Sequence, residues 1–445
     1  MVKFWHALLT AGTLLVAPAQ AQSADQSELI RRGEYLAIAG DCGACHTEEG
    51  KAPFSGGHAI VSPLGTIFST NITPSKQAGI GHYTEAEFAA ALRKGIRADG
   101  SRLYPAMPYT AYARLNDEDI LALYAYFMQG VKPVDERPPQ TALPFPFNLR
   151  ISMAAWDLLF AGDKVYQPDP TQSAAWNRGA YLVQGLAHCS TCHTPRNLLM
   201  AEQQHKLLKG ASLGTWYAPD ITAPALQANP HWTQQMLAEY LLTGHAANGA
   251  TAGGPMREAI DKSFSRMTDE DRQAIATYLL PADAVIPKTP DVTGLRPVTG
   301  DDLPPTLATI SQGEQIYRDN CASCHNLSGQ GQNGLPALQN HPVLNKPVAD
   351  NVAMAILDGV WPEKGQGMIG FAGSLDDEQI AAVTNYVMQD MGHSQVQITP
   401  ERVSALRAGG DTSPLKLLAR IGMGAAVVAL ILIAFWLRKR RAAKV

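Results

Sequence analysis

Short amphipathic runs alternate with Gly- and Pro-rich stretches along this chain, and the runs recur in three similar sets. From Ser27 to Ala39, Leu29, Ile30, Gly33 and Tyr35 follow a spacing that predicts a helix. Thr84 to Lys94 predicts a second, stopped by Gly95. Asn116 to Met128 predicts a third, with Ile120, Leu121, Leu123, Tyr124 and Phe127 on its apolar face. Asn116 is a good N-cap and Asp119 stands at the capping-box position. Between these helices, Pro53 to Thr73 is rich in Gly, Ser, Thr and Pro and predicts loop. Pro105 and Pro108 keep the stretch from Tyr104 to Tyr109 out of regular helix.

The same plan then repeats. Asn177-Arg178-Gly179-Ala180-Tyr181-Leu182 parallels Arg31-Arg32-Gly33-Glu34-Tyr35-Leu36, and Pro219-Asp220-Ile221-Thr222 parallels Thr70-Asn71-Ile72-Thr73. A third set opens at Ile310, with Gly313 and Tyr317. Closing helices are expected over Thr268 to Leu280 and Asp376 to Met388; the starts Leu115-Asn116-Asp117-Glu118-Asp119, Met267-Thr268-Asp269-Glu270-Asp271 and Leu375-Asp376-Asp377-Glu378-Gln379 align without a gap. Self-similarity on this scale means duplication of one unit. The expected domains are 25–131, 174–281 and 306–393, joined by Pro-rich connections at 132–173 and 282–305. In the first connection Phe145, Phe147, Trp156, Leu158, Leu159 and Phe160 are too apolar for a solvated linker, so it is expected to pack over the surface.

The two ends carry a different pattern. Residues 1–21 read as a secretory signal: Lys3, an apolar run from Ala7 to Pro18, then the small-x-small site Ala19-Gln20-Ala21. Near the other end, Ile421 to Leu437 holds no charge and is followed by Arg438-Lys439-Arg440-Arg441. Extended back to Leu417, the span 417–437 is long enough to cross a bilayer, with the basic cluster on the cytoplasmic side.

Composition adds the chemistry. All six cysteines of the 445 residues fall in three copies of one motif: Cys42-Gly43-Ala44-Cys45-His46, Cys189-Ser190-Thr191-Cys192-His193 and Cys321-Ala322-Ser323-Cys324-His325. A zinc site or a thioredoxin-like pair also uses CxxC, but neither needs His directly after the second Cys. Two thiols three apart that can each take one vinyl group, with an imidazole to reach the iron, point to covalent c-type haem attachment, three haems in all. Met107, Met256 and Met368 are the candidate sixth ligands. Each precedes a closing helix and is flanked by Pro or Gly, and a thioether suits low-spin iron. Met128, Met236, Met267, Met354 and Met388 are expected to pack instead, and the other histidines are read as surface or core. With both faces of each iron filled, no substrate binds there. A formal net charge of −4 leaves no basic footprint for nucleic acid. The one GxGxxG string, at 329–334, follows a CxxCH motif rather than a strand and so is no flavin signature, and the chain has no propeller-like repeat.

These motifs resemble class I cytochrome c domains, whose Gly- and aromatic-bearing first helix crosses the last helix beside the haem. The whole order is more specific. Leader, three CxxCH units, the Asn71-Ile72-Thr73-Pro74 turn and its Asp220-Ile221-Thr222 counterpart, Thr194-Pro195-Arg196-Asn197, and a C-terminal anchor are similar to the trihaem cytochrome c subunit of bacterial membrane-bound dehydrogenases. That family serves alcohol, gluconate, fructose, sorbitol and aldehyde dehydrogenases. The resemblance implies an all-α fold of three tandem class I cytochrome c domains plus a C-terminal transmembrane helix. It implies a large catalytic partner of flavin or quinoprotein type, the tail resembling the flavin-dependent gluconate type more. It further implies a small secreted third subunit, ubiquinone as acceptor, and a place on the periplasmic face of the inner membrane. Two alternatives stay open: a multihaem cytochrome c serving a terminal oxidase, and a haem enzyme such as a peroxidase, which would need one five-coordinate iron.

Overall fold

A computed structural model describes residues 17–162, 164–228, 232–281, 310–332, 335–411 and 413–442. Most of the expected leader, the 282–305 connection and the start of the expected third domain lie outside the described residues.

Three modules share one helical plan. The opening helices Ala17–Ala39, Ala174–Tyr181 and Gln312–Asn320 cross the closing helices Asp117–Ala125, Asp269–Leu279 and Asp377–Tyr386, respectively. Only glycine fits at each crossing. A Cβ on Gly33, Gly179 or Gly313 would fall 2.0, 2.0 and 2.2 Å from the carbonyl oxygens of Ala122, Ala274 and Ala382. Middle helices Glu85–Lys94, Gln234–Thr243 and Asp350–Asp358 complete the plan. Thr84 and Glu87 close a full capping box on the first of these. The opening helix starts ten residues before the predicted Ser27, because nothing between Gln22 and Gln26 breaks a helix.

The fold is helix-rich but not free of strand. Within the predicted loop, Ala59–Ser62 pairs antiparallel with Gly65–Phe68, Ile60 opposite Ile67. Lys209–Ser212 pairs with Tyr217–Asp220 in the second module. The β-branched residues Ile60, Val61, Thr66 and Ile67 on either side of Pro63-Leu64-Gly65 carry the strand signal. The surrounding Gly, Ser and Pro obscure it.

Burial divides the molecule unevenly. One continuous core joins the first two modules, with Leu36, Leu115 and Phe127 in the same cluster as Leu182, Leu186, Ile260 and Ile275. The third module has its own core around Tyr317, Leu344, Leu357, Ile380 and Met388. That core runs past the expected boundary at 393 to take in Ile398, Val403 and Leu406, the last two on the helix Pro400–Arg407. Arg402 fixes this helix to Asp350 at 2.6 Å, and Arg407 ties it to Asp377 at 2.8 Å.

The first two modules also exchange matched polar bonds. Asp119 does not close a capping box on Asn116 as its position suggests. Its carboxylate accepts Arg32 Nη2 at 2.7 Å and, from the other module, Tyr181 Oη at 2.6 Å. The Asn116 N–H then donates to Tyr181 Oη at 3.4 Å. The arrangement is reciprocal: Asp271 accepts Arg178 Nε at 2.7 Å and Tyr35 Oη at 2.6 Å, and the Thr268 N–H donates to Tyr35 Oη at 3.3 Å. In the third module the aligned residue is Gln379, which folds back on the Asp376 N–H at 3.0 Å as an ordinary capping box.

Residues 132–173 pack on the first module, though through polar groups more than through the apolar residues that suggested it. Asn71 Nδ2 donates to the Val134 carbonyl at 2.8 Å, and buried Asp157 takes Tyr109 Oη at 2.7 Å and Arg102 Nη1 at 2.5 Å. Leu158 is 86% exposed. Towards the C-terminus, Leu415–Ala442 forms one helix, of which the 22 residues Leu415–Trp436, despite Lys416 and Arg420, are apolar enough and long enough to cross a membrane.

Candidate haem-attachment sites

Each CxxCH motif is a short helical turn just after an opening helix: Cys42–His46, Cys189–His193 and Ala322–His325. Helical spacing sets both cysteines of a motif on one face, with the histidine beside them. The chain enters the first two turns through left-handed residues, Asp41 at φ 53° and His188 at φ 38°.

The imidazoles are oriented from behind. His46 Nδ1 donates to the Thr70 carbonyl at 2.7 Å and His193 Nδ1 to the Pro219 carbonyl at 2.7 Å, which leaves Nε2 of each as the free nitrogen. These carbonyls belong to the paired turns noticed in the sequence. Asn71 Oδ1 accepts the Thr73 N–H at 2.9 Å, and Asp220 Oδ1 accepts the Thr222 N–H at 2.8 Å, so both turns are built alike. Sequence comparison finds the repeat but not its work, which is to aim the ring. His325 lies beside the Pro336 carbonyl without a bond of full geometry, and its buried Nδ1 has no partner. Burial lowers the pKa of all three histidines and favours the neutral ring that metal ligation needs.

The thiols of Cys42, Cys45, Cys189, Cys192 and Cys321 are shifted the other way. Loss of hydration pushes Cys42, Cys45 and Cys189 up to about 12, and Cys321 up to about 11. Cys45 is raised in this way even though part of its residue surface is open, because dense packing around the sulfur removes hydration and the negative charges of Asp41 and Glu258 add to the shift. A zinc site or a redox pair needs thiolate, which these surroundings oppose. Thioether formation consumes the thiol and does not meet that obstacle.

The three methionines sit differently. Met107 lies in the bend between Pro105 and Pro108, packed against the joint core. Met256 is in the first turn of the helix Gly254–Lys262, not in a loop as expected, since Pro255 can start a helix. Met368 is held in a backbone bridge with Val360. Counted from the glycine that ends each middle helix, Met107 and Met256 are both twelve residues on and Met368 nine.

Around the second and third sites the packing leaves one apolar cavity of about 890 Å³, onto which Cys189, Cys192, His193 and Met256 open together with Cys321, Cys324, His325 and Met368. Its size is at the upper end of the roughly 300–1,000 Å³ usual for cofactor pockets. Thiol pair, free Nε2 and thioether facing one apolar space are the donors that haem c takes, so the residues present fit that group.

The family model for cytochrome c matches residues 30–130, 177–282 and 310–390. The chain belongs to the cytochrome c family. Its cofactor is therefore covalently bound haem c, and its business is electron transfer. Among relatives of this cytochrome c, the fructose dehydrogenase cytochrome subunit of Gluconobacter japonicus is 42% identical, over 98% of this chain and 96% of its own length. The gluconate 2-dehydrogenase cytochrome c subunit of Pantoea cypripedii is 36% identical over 90% of this chain and 94% of its own. The cytochrome c subunit of alcohol dehydrogenase (quinone) from Gluconacetobacter polyoxogenes is 36% identical over 90% and 89%.

Proposed function

We propose that this cytochrome c is the electron-transfer subunit of a membrane-bound periplasmic dehydrogenase. Residues 25–131, 174–281 and 306–393 are three domains holding one haem each. Cys42 and Cys45, Cys189 and Cys192, and Cys321 and Cys324 carry the thioether links; His46 with Met107, His193 with Met256, and His325 with Met368 are the axial pairs. Held in this way, haem c would supply a one-electron iron couple. The chain's own part is to orient the His46 and His193 imidazoles through the Thr70 and Pro219 carbonyls and to line the second and third sites with apolar side chains. With no open iron face it carries electrons and does not oxidise substrate.

The carrying observation is the threefold recurrence of a CxxCH turn on a Gly-crossed helix pair, in a chain whose relatives are named as dehydrogenase cytochrome subunits over nearly their whole length. The partner is a large catalytic subunit, accompanied by a small secreted one, and the acceptor is ubiquinone in the inner membrane. The helix over 417–437 holds the chain there with its basic end in the cytoplasm. The test is to remove this chain from the purified complex. The catalytic subunit alone should still reduce an artificial dye but lose turnover with a ubiquinone analogue. Undiminished quinone turnover without this chain refutes the assignment.

A further inference from the structure

The cavity between the second and third sites has charged groups on its wall that haem attachment does not explain. Lys346 and Arg257 are its cations. Arg257 is committed to Asp261, with Nε at 2.9 Å from a carboxylate oxygen. Lys346 makes no ion pair among the described residues. It follows the turn Pro342–Asn345, which is capped by His341 accepting the Val343 N–H through Nδ1 at 3.2 Å. From there its charge reaches His193 of the second site, Asp220 behind it, and His341 on the third module. Loss of hydration lowers the Lys346 pKa, and Asp220 opposes that shift. The other acids on the wall are Asp41 and Asp319, and Asp319 accepts Gln315 Nε2 at 2.9 Å. Of the first site's attachment and axial residues, none opens onto this cavity.

An unpaired positive charge in an apolar wall is weakly screened, and it penalises the more positive ferric state more than the ferrous. We propose that Lys346 is a potential-setting residue that favours the reduced state at the second and third haem sites and not at the first, with Asp220 acting in the opposite sense. The inference rests on haem occupying those two sites.

The test is spectroelectrochemical titration of the full-length holoprotein in detergent. The wave displaced by Met107→Ala marks the first site. In Lys346→Met, at a fixed potential near the midpoint, the oxidised-to-reduced ratio of both other haems should rise, by about threefold to tenfold. The first-site wave should stay in place, and all three haems should keep low-spin spectra. Lys346→Arg should retain the wild-type midpoints, and Asp220→Asn, which can keep its turn, should shift the same waves the other way. Unmoved waves in Lys346→Met, an equal shift of all three, or Lys346→Arg behaving like Lys346→Met would each overturn the proposal. A wild-type protein without haem at the second and third sites would instead defeat the haem assignment beneath it.

Discussion

Replacing Tyr181 and Tyr35 together by Phe tests the joint between the first two modules with little change in packing. At Tyr181 the substitution removes a 2.6 Å bond to a carboxylate that is 2% exposed, and the acceptor of the Asn116 N–H. A hydrogen bond to a charged group contributes about 1.5–3 kcal/mol, and because Arg32 stays on Asp119 the loss falls near the lower end, ~1.5–2 kcal/mol. The half-buried Tyr35 bond to Asp271, where Arg178 remains doubly bonded, contributes ~1 kcal/mol by the same reasoning. If the two ends act independently, the double variant loses ~2.5–3 kcal/mol. In a body of this size that lowers the melting temperature by about 5–12 °C. Differential scanning calorimetry of the full-length holoprotein in detergent should show the transition of the joined pair falling by this amount. The transition of the third module, whose core is separate, should hold. A change under about 1 °C, or equal movement of both transitions, would refute a joint built on these bonds.

Replacing Met107, Met256 or Met368 singly by Ala should each remove about one third of the far-red thioether-to-iron absorption. An unchanged band would show that the methionine is not a ligand. Burial by itself would raise the Asp271 pKa, but the bonds from Arg178 and Tyr35 outweigh it and hold it below the usual carboxylate range. The stability it contributes is therefore present above about pH 4 and lost as pH falls through the depressed folded-state value. Asp271→Asn should flatten that acid limb in guanidinium titrations between about pH 2 and 6. Ending the chain before Pro414 should give a soluble protein that keeps its haem, since the third core is complete by Leu406; loss of haem on truncation would tie the tail to the fold.

The helix pairs, their caps and the CxxCH turns were legible because each depends on local signals: apolar spacing, an N-cap, a fixed motif. The hairpin over 59–68 was hidden by its Gly- and Pro-rich setting. Met256 was misplaced because Pro reads equally as a breaker and as the first residue of a helix. Asp119 and Asp271 are the instructive cases. The position of Asp119 at the start of a helix predicted a local cap, but its carboxylate, like that of the aligned Asp271, bonds to a tyrosine on another module, a choice that only tertiary packing can make. One trace of it was visible in the aligned closing helices, where Gln379 replaces the aspartate in the module that does not share the joint core. Likewise Lys346 and the cavity it lines bring together residues more than 150 positions apart, beyond the reach of any motif.

The central claim is that this chain conducts electrons and leaves substrate oxidation to its partner. Haem absorbance followed in stopped flow, with the dehydrogenase's substrate mixed into the isolated chain and into the complete complex, tests it most directly. The account predicts no haem reduction in the isolated chain and rapid reduction of all three haems in the complex. Substrate-driven reduction of the isolated chain, with turnover to a quinone acceptor and no second polypeptide, would contradict it.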